Sequence, residues 1–395
     1  MSIVLAYSGG LDTSVAVHWL KERYQTEVIA YCANLGQIED LDAVSKRATA
    51  AGASEVIVED VRDLFLHDYA IPALAAGAAY EGKYLLAAPL SRPLIAERLV
   101  SIARERGASA VAHGATGKGN DQVRFYTSVR ALAPELDILA PVIDWEMTSR
   151  GSEIAYADLH GIDVGVSKTT PYSIDTNIWG TSIECGDLDL IDHAPPPDAW
   201  QITTAPTQAP DRATTITIEF EAGIPVALDG RKLDLIDLVS ELGDAAAANG
   251  IGRTEILESR IVGFKSRGIY EAPAATVLLA ARTDLEVLVL DRETLHHKRT
   301  IADQYAELVY YGYWFTDLRA ALDAYCARLA HRVTGTVTVE LYKGSARCIG
   351  RTSPKYGRYS SALADYEEAD TFRHEAGAGF AYCWALPLTE GVVTR

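Results

Sequence analysis

The chain has 395 residues, and 54 acidic side chains against 36 basic ones give a formal net charge of −18. With 48% hydrophobic and 23% charged residues the composition is globular, and at roughly 150 residues per domain the length predicts two or three domains. The acid surplus repels phosphate backbones and anionic lipid, so it excludes a protein that wraps nucleic acid or coats such a membrane; a small anion held by a few local groups is still allowed.

The chain opens on a buried strand, Ile3–Tyr7, followed by a helix over Thr13–Tyr24 with Val17, Leu20 and Tyr24 at helical spacing. Val28–Tyr31 reads as a second strand, Asp40–Ala51 as a helix and Glu55–Val58 as a third strand. The longest apolar stretch, Tyr69 to Tyr80, is broken by Pro72 and Gly77 and falls short of the roughly 18 apolar residues of a membrane span. Arg92–Arg106 reads as a helix and Ala110–His113 as a fourth strand. Short apolar strands alternating with helices predict an α/β fold, a parallel doubly wound sheet whose ligands sit beyond the carboxyl ends of its strands.

The pattern changes near Val164. Five of the 15 prolines fall between Pro195 and Pro210, which predicts a long surface connection. Beyond it Thr214–Phe220 alternates as a strand, and Lys232–Leu242 reads as helical. Ala275–Ala281, Leu285–Leu290 and Gly335–Leu341 read as strands, Trp314–Arg332 as a long helix, and the Ala/Asp/Glu-rich tail from Ser360 as partly helical. This predicts an α+β domain over 166–359, after a nucleotide-binding domain over 1–165 and before a carboxy-terminal arm over 360–395. The five cysteines are scattered and form no CxxC pair, which with the lack of a signal peptide pattern predicts a cytoplasmic protein. The nine histidines offer no metal-ligand spacing, and His296 and His297 would point to opposite faces of a strand, so no protein-bound metal site is expected.

The strongest local signal is Ala6-Tyr7-Ser8-Gly9-Gly10-Leu11-Asp12-Thr13-Ser14, at the turn from the first strand into the first helix. Two glycines let the backbone turn sharply and approach a ligand, while the hydroxyls of Ser8, Thr13 and Ser14 and the free N–H groups of a helix start make an anion cradle. A plain strand–helix turn with Asp12 as its cap is the alternative; the number of fitting residues weighs against it. The string resembles the S-G-G-x-D-S/T loop of the ATP pyrophosphatase superfamily, which implies ATP held by its β and γ phosphates, together with Mg²⁺.

Further motifs narrow the resemblance. They are Ala33-Asn34-Leu35-Gly36-Gln37, the run from Gly114 to Phe125 (G-A-T-G-K-G-N-D-Q-V-R-F), Tyr172 to Asn177, and Lys265 to Glu271. In this order and spacing they resemble the argininosuccinate synthase family, over nearly the whole chain. By residue chemistry alone, Thr116 and Asn120 can donate to the carboxylates of aspartate, Asp121 can accept from its ammonium, and Arg124 suits a carboxylate through its bidentate fork. The resemblance implies the rest: ligation of citrulline to aspartate with ATP cleaved to AMP and pyrophosphate; nucleotide contacts along Ala6 to Ser14 and at Ala33 and Gly114; citrulline contacts at Tyr84, Asn120, Arg124, Ser173, Ser182, Glu258 and Tyr270; aspartate contacts at Thr116, Asn120 and Asp121; and a homotetramer. The stretch around Ala88 and Pro89 lacks the hydroxyl common there in the family, and Ala274 stands where a glycine is common. A tRNA-modifying ligase of the same superfamily and a non-catalytic nucleotide-binding module remain alternatives. Charge speaks against the first, and the aspartate-type loop against the second.

Overall fold

In a computed structural model, which describes residues 2–164, 171–366 and 370–389, five parallel strands form the first sheet. They are β1 (Ser2–Ala6), β2 (Glu27–Asn34), β3 (Glu55–Asp60), β4 (Ala110–Ala112) and β5 (Asp137–Leu139), in the order β3-β2-β1-β4-β5. Alternate residues of β1 feed opposite cores. Ile3 and Leu5 pack with Val15 and Leu20 of the helix Leu11–Tyr24 and with Ala48 of the helix Leu41–Ala50. Val4 packs with Leu99 and Ala103 of the helix Ala87–Arg106 and with Val129 of the helix Asn120–Leu132. A sheet buried on both faces accounts for the near-continuous apolar strands, and the doubly wound expectation holds. The strand order reverses between β1 and β4, so the segments after these two strands face the crevice where such sheets bind ligands.

The later strands are β6 (Ser173–Asn177), β7 (Gly180–Glu184), β8 (Thr214–Glu221), β9 (Ile224–Leu228), β10 (Arg231–Lys232), β11 (Arg253–Ser259), β12 (Lys265–Glu271), β13 (Gly335–Tyr342) and β14 (Ser345–Thr352). They make two antiparallel sheets, ordered β11-β12-β7-β6 and β10-β9-β8-β13-β14. The expected boundary at 165/166 lies outside the described residues. By packing, the chain forms two units, Met1–Tyr356 and Gly357–Arg395. The second holds a short helix, Ser361–Ala364, and the helix His374–Thr389. Among the described residues no helix is long and apolar enough to cross a membrane.

Two expected strands, Ala275–Ala281 and Leu285–Leu290, are instead one helix, Pro273–Val289. Leu278, Ala281, Leu285 and Val289 recur at helical spacing and are all fully buried, and Pro273 opens the first turn, where its missing N–H costs nothing. His296 and His297 likewise lie on a helix, Arg292–Tyr310, not on a strand. The helix expected from Trp314 begins at Asp317, because Thr316 caps it by accepting from the Arg319 N–H. Lys232 closes β10, and the helix expected there starts at Leu235, behind the Asp234 cap.

Candidate active site

Tyr7 to Gly10 lead from β1 into the helix Leu11–Tyr24. Gly9 has φ +81°, and a β-carbon on it would come within 2.9 Å of the Val44 side chain and 3.0 Å of the Arg47 guanidinium. Gly10 is the helix N-cap and supplies no side-chain acceptor, so the first N–H groups are left to a ligand. Hydroxyls surround them: Ser8 Oγ lies 3.2 Å from Thr13 Oγ1, and Tyr7 OH lies 2.9 Å from Ser14 Oγ. Asp12 is therefore not the cap. Its carboxyl meets Glu153 of the helix Arg150–His160, and burial, followed by the bond to Asp12, pushes the Glu153 pKa up to about 7.

The segment after β4 packs directly on this loop. A β-carbon on Gly114 would stand 2.8 Å from the Thr13 methyl, so glycine at 114 is what lets the two touch. Beside it His113 is buried, stacks on Phe125 at 5.2 Å and accepts the Ala115 N–H at Nδ1 (3.2 Å). Burial lowers its pKa to about 4, which leaves the ring neutral at pH 7. Thr116 is exposed on the turn, and Gly119 caps the helix Asn120–Leu132. Asn120, Asp121 and Arg124 thus occupy the first turns of a helix. Ala33 lies near the carboxyl end of β2, where its carbonyl accepts from Gln37 Nε2 at 2.8 Å.

Asp121 is gripped from two sides. Arg92 donates to Oδ2 through Nε (2.9 Å) and Nη2 (2.8 Å), and Arg124 donates to Oδ1 through Nη1 (2.7 Å). Burial alone would raise its pKa, but the two guanidiniums hold the carboxyl well below the usual range. Arg92 also pairs with Asp175 of β6. Arg124 is 4% exposed; it donates through Nε to the Tyr310 carbonyl (2.9 Å) and lies 4.8 Å from the Tyr310 ring centre. Its Nη2 is buried and has no partner among the described residues. A buried guanidinium nitrogen without an acceptor is costly unless a ligand fills the gap.

The third wall is one face of the β11-β12-β7-β6 sheet. Register places Asp175 opposite Ser182, Ser182 opposite Tyr270, Ser173 opposite Glu184, and Glu258 opposite Ser266. The period of two puts Ser173, Asp175, Ser182, Tyr270 and Glu258 on one side. Tyr84 joins them: its ring stacks on Tyr270 at 3.9 Å, and its hydroxyl lies 3.1 Å from Ser182 Oγ. Tyr270 donates to Glu258 Oε2 at 2.8 Å, and Tyr310 bonds the same carboxyl. Asn120 closes the ring by donating from Nδ2 to Tyr310 OH (2.7 Å) and accepting the Ile261 N–H (3.0 Å). The fold therefore brings Tyr84, Asn120, Asp121, Arg124, Ser182, Glu258 and Tyr270 into one bonded network. Thr116 and the exposed Ser173 stand outside it.

Arg92, Asp175, Tyr310 and the Arg260–Glu184 pair are the side chains that motif chemistry did not single out. One has a sequence signal in hindsight, since Asp175 stands inside the quoted string from Tyr172 to Asn177; its pairing with Arg92 spans 83 residues and has none. The two departures are also explained locally. Ala88 and Pro89 are buried in the first turn of the helix Ala87–Arg106, where Tyr84 OH accepts the Ala88 N–H at 3.3 Å. Ala274 is buried in the first turn of the helix Pro273–Val289.

Residues 2–163 match the family described as the arginosuccinate synthase N-terminal HUP domain, and residues 172–390 match the arginosuccinate synthase C-terminal domain. The chain is 98% identical over 395 residues, the whole of both chains, to a protein of Rhodococcoides fascians named argininosuccinate synthase. It is 51% identical over 386 residues to the protein of that name from Chlorobium phaeobacteroides strain BS1, covering 98% of this chain and 96% of that one. A third, from Chlorobaculum tepidum, is 50% identical over 387 residues with the same coverage.

Proposed function

Since the chain belongs to the argininosuccinate synthase family, we propose that its phosphate cradle, its Arg124 cluster and its sheet face hold the three substrates of that ligation. The enzyme joins L-citrulline to L-aspartate in arginine biosynthesis, with ATP as co-substrate. ATP lies with its β and γ phosphates on the N–H and O–H groups of Tyr7 to Ser14. Ala6, Ala33 and Gly114 meet it through backbone and packing, since none has a side-chain donor.

Citrulline lies between Arg124 and the sheet. Its carboxylate takes the free Nη2 of Arg124, its ammonium goes to Glu258, and the hydroxyls of Tyr84, Ser173, Ser182 and Tyr270 orient the remainder. The observation that carries this reading is that buried Nη2, whose sister nitrogen is fixed on Asp121. Aspartate is met by Thr116, Asn120 and Asp121. Asn120 retains a second N–H after serving Tyr310, and Asp121 Oδ1 retains a lone pair after serving Arg124, so both can take a substrate group without losing their present bonds.

The ureido oxygen of citrulline attacks the α phosphorus and pyrophosphate leaves, forming citrullyl-AMP. The aspartate amine then attacks the ureido carbon, loses a proton, and AMP departs. The substrate supplies the nucleophile, so the protein's part is positioning and charge stabilisation. The oxygens of Asp12, Ser8 and Thr13 suit Mg²⁺, a hard cation that takes oxygen ligands. When bound, Mg²⁺ neutralises phosphate charge.

On the same reading 1–165 binds nucleotide, 166–359 completes the amino-acid site, and the arm 360–395 joins copies of the chain in a cytoplasmic homotetramer. Phe380, Tyr382 and Trp384 of the arm are 64–70% exposed, which supports a role in association. Light scattering on the full chain gives the subunit number. For the activity, purified protein is mixed with ATP, Mg²⁺, citrulline and aspartate, and pyrophosphate is followed. Release that depends on citrulline is expected; release without it, or none with every component present, overturns the assignment of the site.

A further inference from the structure

Behind the phosphate loop the helices Leu11–Tyr24 and Arg150–His160 bring a second group of side chains together. His18 and Glu22 stand one turn apart on the first helix, and His160 ends the second. One ligand atom from each lies within 4.8 Å of the others, the one such group of three histidine, cysteine or carboxylate side chains among the described residues. The two imidazole centres are 4.4 Å apart. Tyr156 OH lies 3.0 Å from His18 Nδ1 and donates to Glu22 Oε2 at 3.3 Å, tying the ring and the carboxylate to the second helix.

We propose that His18, Glu22 and His160 bind a divalent transition metal of the zinc class, with water completing the shell. Two imidazoles and one carboxylate are a donor set that suits zinc, and a pair at i, i+4 on a helix presents two of them to one point. Tetrahedral zinc with bonds of about 2.0–2.1 Å sets neighbouring ligand atoms about 3.4 Å apart, so closing the site asks roughly 1 Å of movement. Glu22 and His160 are exposed, so their side chains have room to make that movement.

The metal would cross-link the two helices that meet again at Asp12 and Glu153, and so brace the phosphate loop from behind. A ligand that binds only the folded chain raises its unfolding temperature, which gives a readout independent of catalysis. The full-length protein, stripped with a chelator and dialysed, is titrated with ZnCl₂ alone; bound metal is counted by elemental analysis after gel filtration, and Tm is measured with and without zinc. One zinc per chain and a higher Tm are expected. His18→Ala, His160→Ala and Glu22→Gln should each weaken binding at least about tenfold, the lower end of what even an outer-shell change costs a metal site. Absence of stoichiometric zinc, or wild-type affinity in His160→Ala, overturns the proposal. Should His18→Ala fail to fold, the two exposed positions carry the test alone.

Discussion

A β-carbon on Gly268 would stand 2.7 Å from the Tyr270 hydroxyl, which crosses that bare position to reach Glu258 at 2.8 Å. Gly268 and Tyr270 share a strand face two residues apart, and the stack on Tyr84 holds the tyrosine ring over the gap. Glycine is needed here for the space above it, not for its backbone angles. Gly268→Ala should displace the hydroxyl and leave Glu258 short of a donor. Loss of one hydrogen bond to a charged group, about 1.5–3 kcal/mol, corresponds to roughly 10–100-fold in the KM for citrulline. Steady-state kinetics with citrulline varied will show it; an unchanged citrulline KM would place citrulline elsewhere.

Asp121→Asn separates the amino-acid sites from the nucleotide site. The carboxylate holds Arg92 and Arg124 at once, so the amide should disturb aspartate directly and citrulline through the loosened Arg124. Both amino-acid KM values should rise about tenfold or more, with the KM for ATP nearly constant. An equal rise for all three substrates would mean that the helix start does not carry amino-acid recognition. Measuring Tm alongside separates loss of binding from loss of fold.

His113 sets an acid limit. Its pKa falls from an ordinary 6.5 to about 4 on folding, because burial disfavours the charged ring. A group whose pKa is lowered in this way contributes stability above pH 6.5 and loses it as pH falls towards 4. The shift amounts to roughly 3 kcal/mol. Urea unfolding of wild type and His113→Gln between pH 7 and pH 4 should show the stability gap moving against the wild type by that order as the solution is acidified. A gap that does not vary with pH would show that His113 is not buried neutral.

Glu153 has the opposite sign. Its pKa rises from 4.5 to about 7, through burial and the neighbouring Asp12. Its contribution to stability is complete below pH 4.5 and is lost as pH rises through 7. Glu153→Gln, which keeps the shape without the charge, should therefore gain on the wild type between pH 5 and pH 8. Unfolding midpoints at those two pH values decide the matter, and a variant that gains nothing on the wild type as pH rises contradicts the raised Glu153 pKa.

The phosphate cradle and the doubly wound sheet were legible from local pattern. Apolar runs of five residues, a helix period of 3.6 and two adjacent glycines act over one or two turns of chain, so Ile3 to Ser14 announces its own shape. The one serious misreading, Ala275 to Leu290, broke one helix into two short apolar runs. Each run looks like a strand taken singly, and the helical period shows only when it is followed across Arg282, Thr283 and Asp284, which separate them.

Residue types at the site were legible too; their partners were not. Arg124 could be named as a carboxylate binder from its chemistry, but that one of its nitrogens is left free depends on Asp121 and on Tyr310, 186 residues away. Arg92 finds Asp121 29 residues on and Asp175 83 residues on. His18 meets His160 only because two helices lie side by side. Spacing along a chain governs the backbone through local sterics and hydrogen bonds, whereas which charges face each other, and which buried nitrogen lacks an acceptor, follows from how distant elements pack.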